Sequence, residues 1–181
     1  MIFYEKTIET ERIYEGKILN LRRDKVTVLT GESYREIVEH SGGAVIAAIT
    51  EDNNIIIVKQ FRKPFNQAII EVPAGKRDGN ENGEEVARRE LKEETGYSAG
   101  NIVHLTTMYT SPGYSEEVLD IFLARDLTPG ETDFDENEAI EIFEMPLYDA
   151  VDMVMRGEIP DGKTQLAILM TNEYLKRERS I

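Results

Sequence analysis

The chain has 181 residues, enough for one full core and a small appended element. Hydrophobic residues make up 40% and charged residues 31%, the balance of a soluble globular protein, with no apolar run of membrane-span length. Its 35 acidic and 21 basic residues give a net charge of −14, which repels a nucleic-acid backbone, and the absence of cysteine excludes disulfides and thiolate metal sites.

The N-terminal stretch MIFYEKTIETERIYEG carries acids and no apolar h-region, so it does not read as a signal peptide, and the composition fits the cytoplasm. KTIETERIYEG and KILNLRRDKVTVLTG alternate apolar and polar residues, as in Ile18, Leu21, Val26 and Val28. They predict exposed strands of a small antiparallel sheet, with a turn at Thr30-Gly31-Glu32 and SYREIVEH as the return strand. About three strands cannot form a core alone. Residues 1–40 are therefore expected to pack on the main body, 41–181, or on a second subunit.

From Gly42 the pattern is more buried. AVIAAIT and NIIIVKQF predict near-continuous apolar strands joined by the turn Glu51-Asp52-Asn53, and QAIIEV predicts another that ends at Pro73. A short acidic helix follows. NIVHLTTMYT and VLDIFLAR predict two strands separated by SPGYSEE, and IEIFEM a further one. PLYDAVDMVMRGE and TQLAILMTNEYLKRE predict amphipathic helices. Helices flanking a mixed sheet describe an α/β fold of the α/β/α sandwich type.

The chemistry concentrates in GKRDGNENGEEVARRELKEETG, a G-x5-E-x7-R-E-L-x-E-E-x-G pattern from Gly75 to Gly96. Asn82 with Glu85 resembles a capping box, and Gly96 supplies the stop. Val86, Ala87 and Leu91 give a narrow apolar stripe. At about 100° per residue, Glu90 and Glu94 stand about 40° apart, with Glu93 about 60° to the other side of Glu90. Like charges at this spacing cost an isolated helix roughly 0.2–0.5 kcal/mol per pair, and a hard dication reverses that sign. Arg89 can hold some of these acids in place. Magnesium suits all-oxygen ligands without cysteine or paired histidine, with Mn²⁺ as a substitute. His40 and His104 are too isolated for a zinc site and read as surface or packing residues.

Four segments stand beside this box. In Glu71-Val72-Pro73-Ala74-Gly75, a tight turn at Gly75 would let the Ala74 carbonyl point at a metal, although an ordinary strand-to-loop turn explains the segment as well. Arg62 ends Gln60-Phe61-Arg62 with a fork that suits diphosphate oxygens, and Arg35 is a weaker candidate; a surface ion pair is the alternative for each. Ser111-Pro112-Gly113-Tyr114-Ser115-Glu116 reads alone as a type I or II turn, and Asp135-Glu136-Asn137-Glu138 as a solvated acidic loop.

The box resembles the signature of the Nudix hydrolases, which cleave a nucleoside diphosphate linked to another moiety. Every polar and glycine position matches; Tyr97 stands where the family usually has a bulky aliphatic residue. Pro112 beyond the box, together with SPGYSEE, QFRKP and EVPAGK, is similar to the ADP-ribose pyrophosphatases of that family. The resemblance implies hydrolysis of ADP-ribose to AMP and ribose 5-phosphate. It implies metal held by Ala74, Glu90, Glu93, Glu94 and Glu138, with Glu90, Glu94 and Glu136 in catalysis and Glu136 or Glu138 as the base. Arg35, Arg62, Pro112, Gly113 and Glu116 would meet the substrate, with Glu81 and Arg89 orienting the ligand acids. It also implies a homodimer in which the N-terminal sheet reaches the partner. Rival readings are another Nudix substrate (a different ADP-sugar, FAD or a dinucleoside polyphosphate), a non-catalytic ADP-ribose sensor, and a structural Ca²⁺ binder, which lacks the required loop.

Overall fold

The structure is a computed structural model that describes residues 2–134 and 139–180. Its contacts divide the chain into two compact units, one formed by residues up to Gly42 with Tyr109–Val118, the other by Gly43–Met108 with residues from Leu119 onward.

The first unit is an antiparallel meander of β1 (Thr7–Glu15), β2 (Asn20–Val28) and β3 (Gly31–Glu39), in that order. Gly31, at φ 113°, makes the β2–β3 turn that a side chain would strain. β1 is exposed along its whole length, Ile8, Ile13 and Tyr14 included. The Tyr109–Val118 loop is tied to β3: the Val38 amide donates to the Tyr114 carbonyl (2.7 Å) and the Glu116 amide to the Val38 carbonyl (2.9 Å).

The second unit contains β4 (Gly43–Ala48), β5 (Asn54–Arg62), β6 (Gln67–Glu71), β7 (Ala74–Lys76), α1 (Gly83–Thr95), β8 (Ser98–Tyr109), β9 (Val118–Thr128), β10 (Ile140–Pro146), α2 (Leu147–Met155) and α3 (Gly162–Glu178). One sheet has the order β7-β4-β9-β8 and is mixed, since β4 runs parallel to β9 and antiparallel to β7. The other, β10-β5-β6, is antiparallel. β4 is buried throughout, and its period of two sorts its side chains between layers. Ala44, Ile46 and Ala48 pack with Val86, Ala87 and Leu91 of α1. Val45 and Ala47 pack with Leu147 and Ala150 of α2 and Ala167 and Ile168 of α3. This is the α/β/α sandwich that the alternation of elements implied. No helix among the described residues is long and apolar enough to cross a membrane.

β7 is a departure from the sequence reading, in which Ala74 and Gly75 formed a turn. The segment pairs with β4 instead, Val45 opposite Ala74 and Ala44 opposite Gly75. Close backbone approach permits it: a Cβ on Gly43 would collide with the Gly75 carbonyl.

Candidate active site

Helix α1 begins as its sequence dictates. The Asn82 side chain accepts from the Glu84 and Glu85 amides at 3.0 and 3.1 Å, and Glu85 returns the bond to the Asn82 amide at 2.8 Å. Gly96 closes the helix at φ 76° and donates to the Lys92 carbonyl. Val86, Ala87 and Leu91 are buried against the sheet, which turns the acids of α1 to another side.

Arg89 organises those acids. Its Nε and Nη2 grip both oxygens of Glu81 at 2.9 Å each. Its Nη1 donates to Glu90 at 2.7 Å and to Glu93 at 2.9 Å, and Nη2 also reaches the Lys76 carbonyl at 2.9 Å. All five N–H donors of the guanidinium are thereby used. The Arg89 bonds and the Asp78 amide pull the Glu81 carboxyl down to about 2, and the Glu81 bonds lead those that hold Arg89 protonated.

Gly75 serves this cluster for a reason the sequence did not disclose. Its φ is not left-handed, but a Cβ there would fall on the Glu90 carboxyl. The bare backbone thus makes the space in which Glu90 lies. Glu94 is 4% exposed and accepts from the Ala74 amide at 3.1 Å. Arg89 thus links Glu90 with Glu93, and the Ala74 amide holds Glu94.

A divalent metal, which Nudix hydrolases generally use, matches this donor set in kind. The groups are carboxylates from successive turns of one helix, and the glycine cradle leaves room for one of them. Among the described residues no three acids or histidines are already gathered as a metal cluster. Arg89 instead stands between Glu90 and Glu93, one guanidinium nitrogen bonded to both. Glu136 and Glu138 lie outside the described residues. The chain on either side of them does not: the Asp133 amide donates to the Glu93 carbonyl at 3.0 Å, and Ile140 pairs with Gln60 near the end of β5.

Arg62 lies at that end of β5, its Nε and Nη2 on the two oxygens of Glu71 at 2.6 and 2.7 Å. Glu71 is fully buried and also receives Lys163 Nζ at 2.5 Å. Lys163 reaches Asp161 at 2.8 Å, and Asp161 caps α3 through the Thr164 amide at 3.0 Å. Sequence reasoning gave Glu71, Asp161 and Lys163 no role. A charged residue in the apolar run QAIIEV was the available signal, but one partner, Arg62, lies across the β5–β6 hairpin and the other, Lys163, about ninety positions away.

The remaining candidates belong to the first unit. The Arg35 fork is engaged by Glu5. Glu116 accepts from Arg22 at 2.6 Å, the same guanidinium that holds Glu39 and Asp24. Pro112 and Gly113 form an exposed turn closed by the Tyr114 amide on the Ser111 carbonyl at 3.1 Å. A Cβ at Gly113 would meet nothing within 4 Å, so local packing does not demand glycine there. Of the histidines, His104 packs edge-on against Phe122, and His40 Nδ1 accepts from the Gly42 amide.

Comparison with known proteins agrees with this geometry. The NUDIX domain family matches residues 40–165. An ADP-ribose pyrophosphatase of Bacillus subtilis (strain 168) is 42% identical over 98% of this chain and 95% of its own length. A methanol dehydrogenase activator of Bacillus methanolicus is 38% identical over 98% of each chain. The crystal structure of an ADP compounds hydrolase shares the fold with a TM-score of 0.87 at 20% identity, covering 100% of this chain and 99% of that one. With its signature box intact and a family match over most of its length, the chain belongs to the Nudix hydrolase family.

Proposed function

We propose that the protein hydrolyses the diphosphate bond of ADP-ribose, giving AMP and ribose 5-phosphate, with Mg²⁺ as its metal and Mn²⁺ as a substitute. The Arg89-centred array of carboxylates on α1 carries the reading of a metal-assisted pyrophosphatase. The choice of ADP-ribose rests on the Bacillus subtilis relative.

Bound ions supply charge neutralisation of the diphosphate and a water of lowered pKa. Glu90, Glu93, Glu94 and the Ala74 carbonyl would hold them. Arg89 and Glu81 fix the direction of Glu90 and Glu93, and the Ala74 amide fixes Glu94. Glu136 would take the proton of the attacking water, with Glu138 beside it at the metal. The bond of the Asp133 amide to the Glu93 carbonyl, two residues before position 135, supports this assignment. Arg62 would stabilise charge building on the phosphoryl oxygens. Arg35, Pro112, Gly113 and Glu116 would contact the nucleotide or ribose.

The reading includes a cytoplasmic homodimer joined through the N-terminal sheet. The exposed Ile8, Ile13 and Tyr14 of β1 are the surface that supports it. A panel of ADP-ribose, other ADP-sugars, FAD and dinucleoside polyphosphates, each assayed with Mg²⁺, tests the substrate. ADP-ribose should give the highest kcat/KM. Preference for another member of the panel would replace ADP-ribose and leave the pyrophosphatase reading standing.

A further inference from the structure

We propose that Glu71, braced by Lys163 and Asp161, is a positioning residue that aims the Arg62 guanidinium at an anionic phosphoryl oxygen of the substrate. The inference rests on the diphosphate reading above and adds residues to it.

Burial is the first observation. The Glu71 side chain is 1% exposed, and a charge in that position is costly unless it is paired. β6 has no need of a charge there for folding, since an apolar side chain of similar volume serves a buried strand as well. The second observation is how completely Glu71 is saturated. Both its oxygens meet the Arg62 fork, and one also meets Lys163. Burial alone pushes the Glu71 carboxyl up, but the Arg62 bonds and the Lys163 charge outweigh it and hold it below its ordinary value.

The third observation is what this leaves outside. Arg62 is 38% exposed, so the network grips the inner edge of a guanidinium whose remainder reaches solvent. Its Nη1 has no hydrogen-bond partner among the described residues. A bidentate grip through Nε and Nη2 fixes the plane of the group and therefore the direction of Nη1.

The brace extends into the backbone of the site. Asp161 accepts from Thr164 Oγ1 at 2.5 Å, and that hydroxyl oxygen accepts from the Val72 amide at 3.1 Å. Val72 leads through Pro73 to Ala74, whose amide holds Glu94. One network thus sets both the Arg62 fork and the strand that enters the box.

The test compares Lys163→Met and Lys163→Arg with wild type, using steady-state kinetics on ADP-ribose, thermal unfolding and the ¹⁵N NMR signal of Arg62 Nε–H. That signal is identified by its loss in Arg62→Lys. In folded Lys163→Met, kcat and kcat/KM should both fall about tenfold with KM changed less than about threefold, as for an interaction made in the transition state. The Arg62 Nε–H signal should broaden and exchange faster, and Lys163→Arg should restore both. A folded Lys163→Met with an unchanged Arg62 signal, or an unchanged kcat with only a lower Tm, would reduce the network to a fold anchor and overturn the proposal. Wild-type inactivity on ADP-ribose would count against the proposed substrate. The kinetic arm then moves to the panel member that is turned over, and if none is, the Arg62 signal alone decides the positioning role.

Discussion

The second unit contains two charge clusters built with opposite polarity. In one, a single cation, Arg89, is surrounded by the acids Glu81, Glu90 and Glu93, all partly exposed. In the other, a single buried acid, Glu71, is held by Arg62 and Lys163, with Asp161 balancing the lysine. The second cluster closes on itself: two cations match two anions. The first does not, because one guanidinium faces three carboxylates. A buried cluster must balance to fold. A half-exposed one can retain surplus charge, and surplus negative charge on oxygen ligands is what a hard dication takes up.

The comparison breaks most sharply at Glu71. Glu71→Ala leaves Lys163 and Arg62 facing a buried gap and should cost about 3–5 kcal/mol in unfolding free energy, measured by urea denaturation. A loss below about 1 kcal/mol would mean the pair is not saturated as described. Arg89→Met is expected to act on rate instead. It releases three acids that repel one another, and activity should fall about 10–100-fold, as when groups that orient metal ligands are removed. Unchanged kcat/KM would deprive Arg89 of that role.

Gly75→Ala refines the point. The added Cβ meets a flexible carboxylate end, not backbone, so the fold should persist with Glu90 displaced. Activity should drop about tenfold while Tm moves by only a few degrees. Full activity would show that Glu90 need not lie where the glycine admits it.

The smallest expected effect is the pH dependence of Glu71. Its folded carboxyl titrates below the ordinary value of 4.5, burial being outweighed by Arg62 and Lys163. Its contribution to stability is therefore complete above pH 4.5 and is lost as pH falls through the lower folded value. The stability gap between wild type and Glu71→Gln should stay constant at neutral pH and narrow in acid. A gap that widened in acid would reverse the sign of the Arg62 and Lys163 effect.

What could be read from the sequence was local. The Asn82–Glu85 box and the Gly96 stop of α1 depend on neighbours three or four residues away and stand as expected. The alternation of β4 between two helical layers follows from a period of two in a buried run. The placing of Glu90, Glu93 and Glu94 on neighbouring turns follows from the helical period, and the hold of Arg89 on Glu90 and Glu93 follows from its place in the same helix. Contacts made by the fold were not legible. Gly75 pairs in β7 and makes way for Glu90 because β4 brings the two segments together, which no spacing reveals. For Arg62 an ion pair was one of two readings, but its partner lies across a hairpin and the brace for that partner lies at the start of α3, so neither could be named.

The most direct measurement is hydrolysis of ADP-ribose with Mg²⁺ by wild type beside Glu94→Gln, with products separated by chromatography. The account expects AMP and ribose 5-phosphate from wild type, and a rate lower by several orders of magnitude when the buried Glu94 loses its charge. Equal turnover by both proteins would mean that the α1 acids are not the ligands of the reaction, and would contradict the account.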